Sequence, residues 1–505
     1  MADCRGVARE GRARANAAHP TFASDLGEPC HLGGTECSRA AARRLLQVRQ
    51  VKRHHALRMT EPMVYPAQFK GCSRFSNSAA NAVSAPISNP TSNERECELR
   101  KRYCGSTEWW DRAQRVIPGG IHLSGRPLVE GGTTPLYFER GRGCRIWDVD
   151  GHEYIDYLMA FGAQLLGYAH PEVDRAVAEQ SARGQLLSMN HRRHVEFIES
   201  LLPVFPGAEM GIFFRTGSEA TTAALRIARR YTGRRKIARC GYHGWHDWCL
   251  PLEDFVPSGL ESQVPEFRGN DPSTLRQVFS EHPGQIAAVI LAPEMVLPFQ
   301  AGIFKELLSI TREHGAVFIM DEVKTAIRIA PNTISERVGI VPDLITASKG
   351  LGNGWPVAVT FGRREVMACA AGLHYSATFH GDTTAMAAAT TTLRIVRDEG
   401  VQAHIEGLGM ALIDGLNSAL LETGVPGIAY GEPLAAMPFL RFTHPNATVN
   451  AAASRVFFQE VLAQGVLLHP RHLWFISQAH TDGDIDITLK VARSALEAAA
   501  RTIAL

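Results

Sequence analysis

From about residue 172 the chain alternates helical stretches of roughly 12 to 18 residues with short, unbroken apolar runs, and this alternation constrains the fold more than any other feature. The runs are Met210–Phe214, Lys236–Cys240, Ala287–Leu291, Ala316–Met320, Leu344–Ala347 and Val357–Phe361. A strand with one wet face alternates apolar and polar residues, whereas a continuous apolar run between helices predicts a strand buried on both faces. The expected architecture is therefore α/β, a largely parallel sheet wrapped by helices.

The flanking segments differ. Glu98 to Val116 is helix-compatible and stops at Pro118-Gly119-Gly120. Leu136–Glu139, Arg145–Val149 and Tyr154–Leu158 read as strands, the last two joined by an Asp150-Gly151 turn. Helices are expected at Ala385–Glu399 and Gln402–Glu422. The last hundred residues mix strands (Phe439–Phe442, Trp474–Ser477) with helices (Ala451–Gln464, Asp484–Ala500), which predicts a smaller α+β unit. The expected division is an extension and linker over 1–95, an N-terminal segment over 96–170, a large domain over 171–400 and a small domain over 401–505.

Charge is concentrated at the start. Residues 1–60 hold eleven Lys/Arg and five Asp/Glu, a surplus of +6 in a chain whose net charge is +2, so the remainder carries about −4. This Arg-rich stretch lacks the apolar core of a secretory signal, and it reads as an extension preceding a start at Met59 or Met63. A near-neutral whole supplies no field for gripping nucleic acid, and no apolar run reaches the roughly 18 residues of a bilayer span. Six of the ten cysteines precede residue 105, without metal-ligand spacing, so neither a disulfide framework nor a metal site is expected and a reducing, cytoplasmic setting is.

Two predicted strands end in reactive groups. Ala316–Met320 runs into Asp321-Glu322-Val323, and Leu344–Ala347 runs into Ser348-Lys349-Gly350. Open α/β sheets place ligands at such strand ends. An amine that can form a Schiff base, with a carboxylate that can hold a pyridine nitrogen protonated, suggests pyridoxal phosphate chemistry, although an Asp there also caps helices and a Lys before Gly is often simply exposed. A third segment, Met210–Phe214 followed by Arg215-Thr216-Gly217-Ser218-Glu219-Ala220 and a helical stretch, offers a small-residue turn and a helix N-terminus to a phosphate. Gly241-Tyr242-His243-Gly244 follows another strand and supplies a ring on which a planar cofactor can stack.

These segments, with Pro118-Gly119-Gly120, Trp147 to Gly151, Gly162 to Pro171, Tyr231 to Arg234, Pro342-Asp343-Leu344 and Ala479-His480 near Asp484, come in the order found in one family. Over roughly residues 108–495 the chain resembles class III pyridoxal phosphate-dependent aminotransferases, in particular their glutamate-1-semialdehyde 2,1-aminomutase-like branch. The resemblance implies fold type I, with a mainly parallel seven-stranded sheet in the large domain, a small α+β domain, and a homodimer with shared active sites. It implies that Lys349 forms the Schiff base and shuttles the Cα proton, that Asp321 partners the pyridinium, and that Val323 packs on the ring. It further implies that Gly217 and Ser218 hold the phosphate, that Tyr242 stacks with His243 beside it, and that Thr378 reaches the phosphate of the other subunit. Arg126 and Arg215 are the candidates for a substrate carboxylate, with Arg471 as a further arginine.

Departures from the branch concern the reaction. The loop after Gly244 reads as shortened, the family's glutamate is missing at Leu291-Ala292-Pro293, and Leu473-Trp474 stands where the branch has a Phe-Glu pair. Arg215 and Lys324 are expected to add positive charge. Together these favour amino transfer from an amino donor to a separate ketone or aldehyde acceptor, through pyridoxamine phosphate, over intramolecular 2,1-transfer. The acceptor stays open among keto acids, β-amino acid relatives, oxidised sugars and polyol ketones.

Overall fold

A computed structural model describes residues 102–120, 136–249, 259, 261–330, 332–431 and 434–503. The first helix, α1 (Cys104–Val116), starts where Asp150 accepts hydrogen bonds from the backbone N–H groups of Gly105 and Ser106. Three short antiparallel strands follow, β1 (Phe138–Arg142), β2 (Arg145–Asp148) and β3 (Glu153–Asp156), with Gly151 at φ +89° in the expected turn. Next come α2 (Pro171–Ser181), α3 (Arg192–Leu201), β4 (Met210–Phe214), α4 (Gly217–Thr232) and β5 (Lys236–Cys240). They are followed by α5 (Pro272–Glu281), β6 (Ile286–Leu291), α6 (Ala301–Glu313), β7 (Val317–Asp321), β8 (Leu344–Ala347) and β9 (Ala358–Gly362).

The main sheet has the order β4-β9-β8-β7-β6-β5. β5 to β8 run parallel, and β9 is antiparallel to both its neighbours. Every residue of β6 to β9 is buried. Val317 and Ile319 of β7 face a layer built on Ala224, Leu225 and Ala228 of α4, while Phe318 and Met320 face the opposite layer with α5 and α6. Alternate side chains enter different apolar layers, which is why the sequence reads as unbroken runs.

The expected seventh strand is absent from the described residues, and the sheet is mixed and six-stranded. Beside the β5 edge only one isolated bridge forms, Arg239 with Glu266. Arg239 N–H donates to Pro265 and Phe267 N–H donates back to Arg239, but Pro265 has no N–H with which to extend a ladder.

Beyond the sheet lie α7 (Thr383–Asp398), α8 (Val401–Thr423), the antiparallel pair β10 (Gly427–Tyr430) and β11 (Phe439–Phe442), α9 (Ala447–Ala463), β12 (Val466–Leu467) and α10 (Asp482–Ile503). β12 pairs in parallel with β3, so the C-terminal part adds a strand to the N-terminal sheet. Trp474–Ser477, expected as a strand, forms no ladder. Trp474 and Ile476 donate to Pro438 and Ala436 on one side, while Phe475 donates to Tyr157 on the other. The segment therefore ties two neighbours together without pairing along either. Among the described residues no helix is long and apolar enough to cross a membrane, and no cluster of potential metal ligands forms.

Candidate active site

The reactive residues collect at the C-terminal ends of β6, β7 and β8, the ends toward which parallel strands direct their loops. Asp321 closes β7 and is 5% exposed. One carboxylate oxygen lies 2.7 Å from His243 Nδ1, and the other accepts from Thr346 Oγ1 at 2.8 Å and from Val323 N–H at 3.2 Å. His243 is buried, its ring stacks on Trp248, and its Nε2 has no partner among the described residues.

Lys349 follows β8 with a left-handed backbone, φ +46°. Its Nζ donates to the carbonyl of Phe161 at 3.0 Å. Phe161 belongs to a run, Met159 to Phe161, that also has positive φ. Strained non-glycine backbone of this kind persists where surrounding packing over-determines it, and it concentrates at functional sites. Burial, then repulsion from the Lys324 ammonium, lowers the Lys349 pKa from 10.5 to about 7, against opposing pulls from Glu294 and Asp321. A large share of this amine is therefore neutral and nucleophilic near neutral pH.

The turn between β4 and α4 has Thr216 as N-cap, its hydroxyl accepting from Glu219 N–H while the Glu219 carboxylate accepts from Thr216 N–H. A Cβ on Gly217 would lie 3.0 Å from a Val323 methyl, so a larger residue would crowd the approach of this turn to the chain that follows Asp321. Gly244, at φ +117°, touches Ser218 so closely that a Cβ would collide with it, and Ser218 Oγ accepts from Trp245 N–H. Gly217, Ser218, His243, Asp321 and Val323 are thus joined by direct contacts, with Lys349 in electrostatic reach of Asp321 and Tyr242, half-exposed, beside His243.

Other expected residues lie elsewhere. Arg215 pairs with Asp382 at 3.0 Å, and both side chains are mostly buried. Arg126, and the loop after Gly244 from residue 250 to 258, lie outside the described residues. Thr378 is exposed on a turn whose far end is fastened by His380 to Glu219 and by Asp382 to Arg215.

The expected gain of positive charge does not hold. Glu294, one position after Pro293, is 4% exposed and forms an ion pair with Lys324, so each added cation has an anion against it. Sequence inspection missed this pair because its members lie 30 positions apart in the chain. It also missed Arg328, fully buried and donating to the carbonyls of Gly162 and Ile476, and the imidazoles of His469 and His472 beside Phe161. Neither has a motif signal, since tertiary packing alone brings them in.

The arrangement fits pyridoxal phosphate. A part-buried amine of lowered pKa and a doubly anchored carboxylate lie on adjacent strand ends, and a glycine-bearing turn that opens a helix packs beside that carboxylate. Residues 129–476 match the class III aminotransferase family. The chain is 30% identical to a 3-aminobutyryl-CoA aminotransferase of Cloacimonas acidaminovorans, over 77% of this chain and 96% of that protein. It is 35% identical to a glutamate-1-semialdehyde 2,1-aminomutase of Desulfitobacterium hafniense, over 78% and 98%. Among solved structures, the PLP-containing FumI protein of Sphingopyxis sp. MTA144 superposes with a TM-score of 0.75 at 30% identity, covering 80% of this chain and 98% of that one. Shared fold, site chemistry and a match over most of the sequence agree: the chain belongs to the class III aminotransferases and is a pyridoxal phosphate-dependent enzyme of fold type I.

Proposed function

We propose that this enzyme moves an amino group from an amino donor to a separate ketone or aldehyde acceptor, with Lys349 as the residue that both holds the cofactor and carries the Cα proton. The observation that carries the reading is the Lys349 amine, neutral in large part near pH 7 and within electrostatic reach of Asp321. Pyridoxal phosphate, when bound, supplies an electron sink for the charge left at the substrate Cα. Asp321, fixed by His243 and Thr346, is the group that keeps that sink cationic. Lys349 takes the proton from one carbon and returns it to another, a task suited to an amine with a pKa near the working pH. Gly217 and Ser218 would hold the phosphate, and Val323, Tyr242 and His243 would bound the cofactor ring.

We further assign Thr378 to the site of a second subunit, because it is exposed on a turn that its own chain holds in place at Arg215 and Glu219. With Arg215 paired to Asp382, Arg126 and Arg471 are the arginines assigned to a substrate carboxylate. The similarity to a 3-aminobutyryl-CoA aminotransferase supports a donor whose amino group lies off the α-carbon, and for such a donor the proton that Lys349 carries is the one on the amine-bearing carbon.

Intramolecular 2,1-transfer is the second reading, favoured by the aminomutase relative. Incubation with one amino compound and no acceptor separates the two: steady turnover to an isomer supports the mutase, and a single stoichiometric half-reaction supports the transaminase. Lys349→Ala should lower turnover by at least about three orders of magnitude and abolish borohydride-stable attachment of the cofactor. Retention of both would overturn the assignment.

A further inference from the structure

The segment after β12 reads His469-Pro470-Arg471-His472, and the family chemistry above leaves both imidazoles without a task. Both rings pack on Phe161, His469 at 6.4 Å and His472 edge-on at 5.2 Å between centroids. The same Phe161 receives the Lys349 Nζ hydrogen bond through its carbonyl. His472, which feels the Lys349 and Lys324 ammonium charges, therefore stands near the reactive amine, and His469 lies 6.0 Å from it with the two rings nearly perpendicular.

Their hydrogen bonds fix the tautomers. His469 Nδ1 accepts from Arg471 N–H at 3.0 Å, which places its ring proton on Nε2. His472 Nδ1 lies 2.8 Å from the carbonyl of Leu473 and must donate to it, which leaves a lone pair on Nε2. Neither Nε2 has a hydrogen-bond partner among the described residues, and neither is a sealed-off buried atom. The pair thus presents one donor and one acceptor.

Neither ring supplies a cation. Burial is the main cause that keeps both neutral, lowering His472 to about 3 and His469 to about 4, and the charges facing them, Lys324 and Lys349 toward His472 and Arg471 toward His469, push the same way. The cations nearby already have partners: Lys324 has Glu294, and Arg328 donates to the Gly162 and Ile476 carbonyls.

We propose that His469 and His472 are specificity-determining residues that read a neutral group able both to accept and to donate a hydrogen bond, a hydroxyl, on the carbon next to the reacting centre of the acceptor. A hydroxyl accepts from His469 and donates to His472, whereas a carboxylate finds one donor and one repelling lone pair. This deepens, and rests on, the amino-transfer reading.

The test uses the full-length, cofactor-loaded enzyme and three unreactive probes of matched size, propane-1,2-diol, 2-butanol and lactate, with affinities measured by ligand-observed saturation-transfer NMR. The diol should bind about fivefold more tightly than 2-butanol, the ratio one net hydrogen bond provides, and lactate should show no such advantage. His472→Phe and His469→Phe should each remove the diol advantage while leaving 2-butanol affinity unchanged, and His472→Gln, which keeps an acceptor, should retain most of it. Lactate binding most tightly, or a diol advantage surviving both Phe variants, would overturn the proposal. Cofactor colour and pyridoxamine phosphate consumption are read separately. Their loss with the binding pattern intact rejects amino transfer, and an absent pattern in a coloured, active enzyme rejects only the histidine assignment.

Discussion

At the scale of single residues, the site is governed by how proton affinity follows burial. Because the Lys349 amine loses its proton near pH 7, capture of added pyridoxal phosphate by the cofactor-free chain should accelerate as pH rises through about 7 and then level off. Stopped-flow absorbance checks this, and a midpoint near the ordinary lysine value of 10.5 would contradict it. The same depression acts on folding. Between about 7 and 10.5 the unfolded chain binds a proton at Lys349 that the native chain does not, so stability rises with pH across that window, and below about 7 the full cost of burying a cation remains. Lys349→Met should therefore raise the thermal midpoint of the cofactor-free protein at pH 7, by a few kcal/mol at most in equivalent stability. A lowered midpoint in calorimetry would show that the amine is not held at a cost. Asp321 and Lys349 were legible because a strand-end position and a residue type together restrict the chemistry. Glu294 and Lys324 were not, since their neutralising contact depends on two strand ends being adjacent.

At the scale of elements, the helix that begins at Gly217 is bounded by reciprocal bonds at Thr216 and Glu219 and by Gly233 in a left-handed conformation. Thr216→Ala should cost about 1 kcal/mol of stability and weaken cofactor retention, because the cap sets the direction of the turn that meets the phosphate. Denaturant titration of loaded and cofactor-free protein gives both quantities, and an effect on stability alone would detach the turn from cofactor binding. Three of the six sheet strands, β4, β5 and β8, match their predicted bounds, and the others differ by one residue, since burial on both faces leaves a run that ends where water begins. The Trp474–Ser477 segment was misread for the opposite reason. Its apolar character comes from contacts with several neighbours, and no local period reports which neighbour a backbone will bond.

At the scale of the whole molecule, the exposed turn bearing Thr378 is fastened to the start of α4 of its own chain by the Arg215–Asp382 ion pair and the His380–Glu219 contact, so it is a positioned surface. If sites are shared in a homodimer, Lys349→Ala and Thr378→Glu chains should each be nearly inactive alone. Mixed in equal amounts after reversible dissociation, they should regain about a quarter of the wild-type activity, because half the dimers are mixed and each of those holds one intact site. No regain, with mixed dimers present by native mass spectrometry, would reject sharing. By itself the sequence determined the layered α/β class, the strand ends that carry Lys349 and Asp321, and the glycine turn for an anion, because each follows from local periodicity or from residue type at one place. Tertiary structure alone decided that Arg215 and Lys324 are neutralised, that Lys349 titrates near 7, that the sheet stops at six strands, and that two neutral imidazoles stand beside the reactive amine. Electrostatics and hydrogen bonding depend on distance through space, and residues such as Phe161, Lys349 and His472 become neighbours only once the chain has folded.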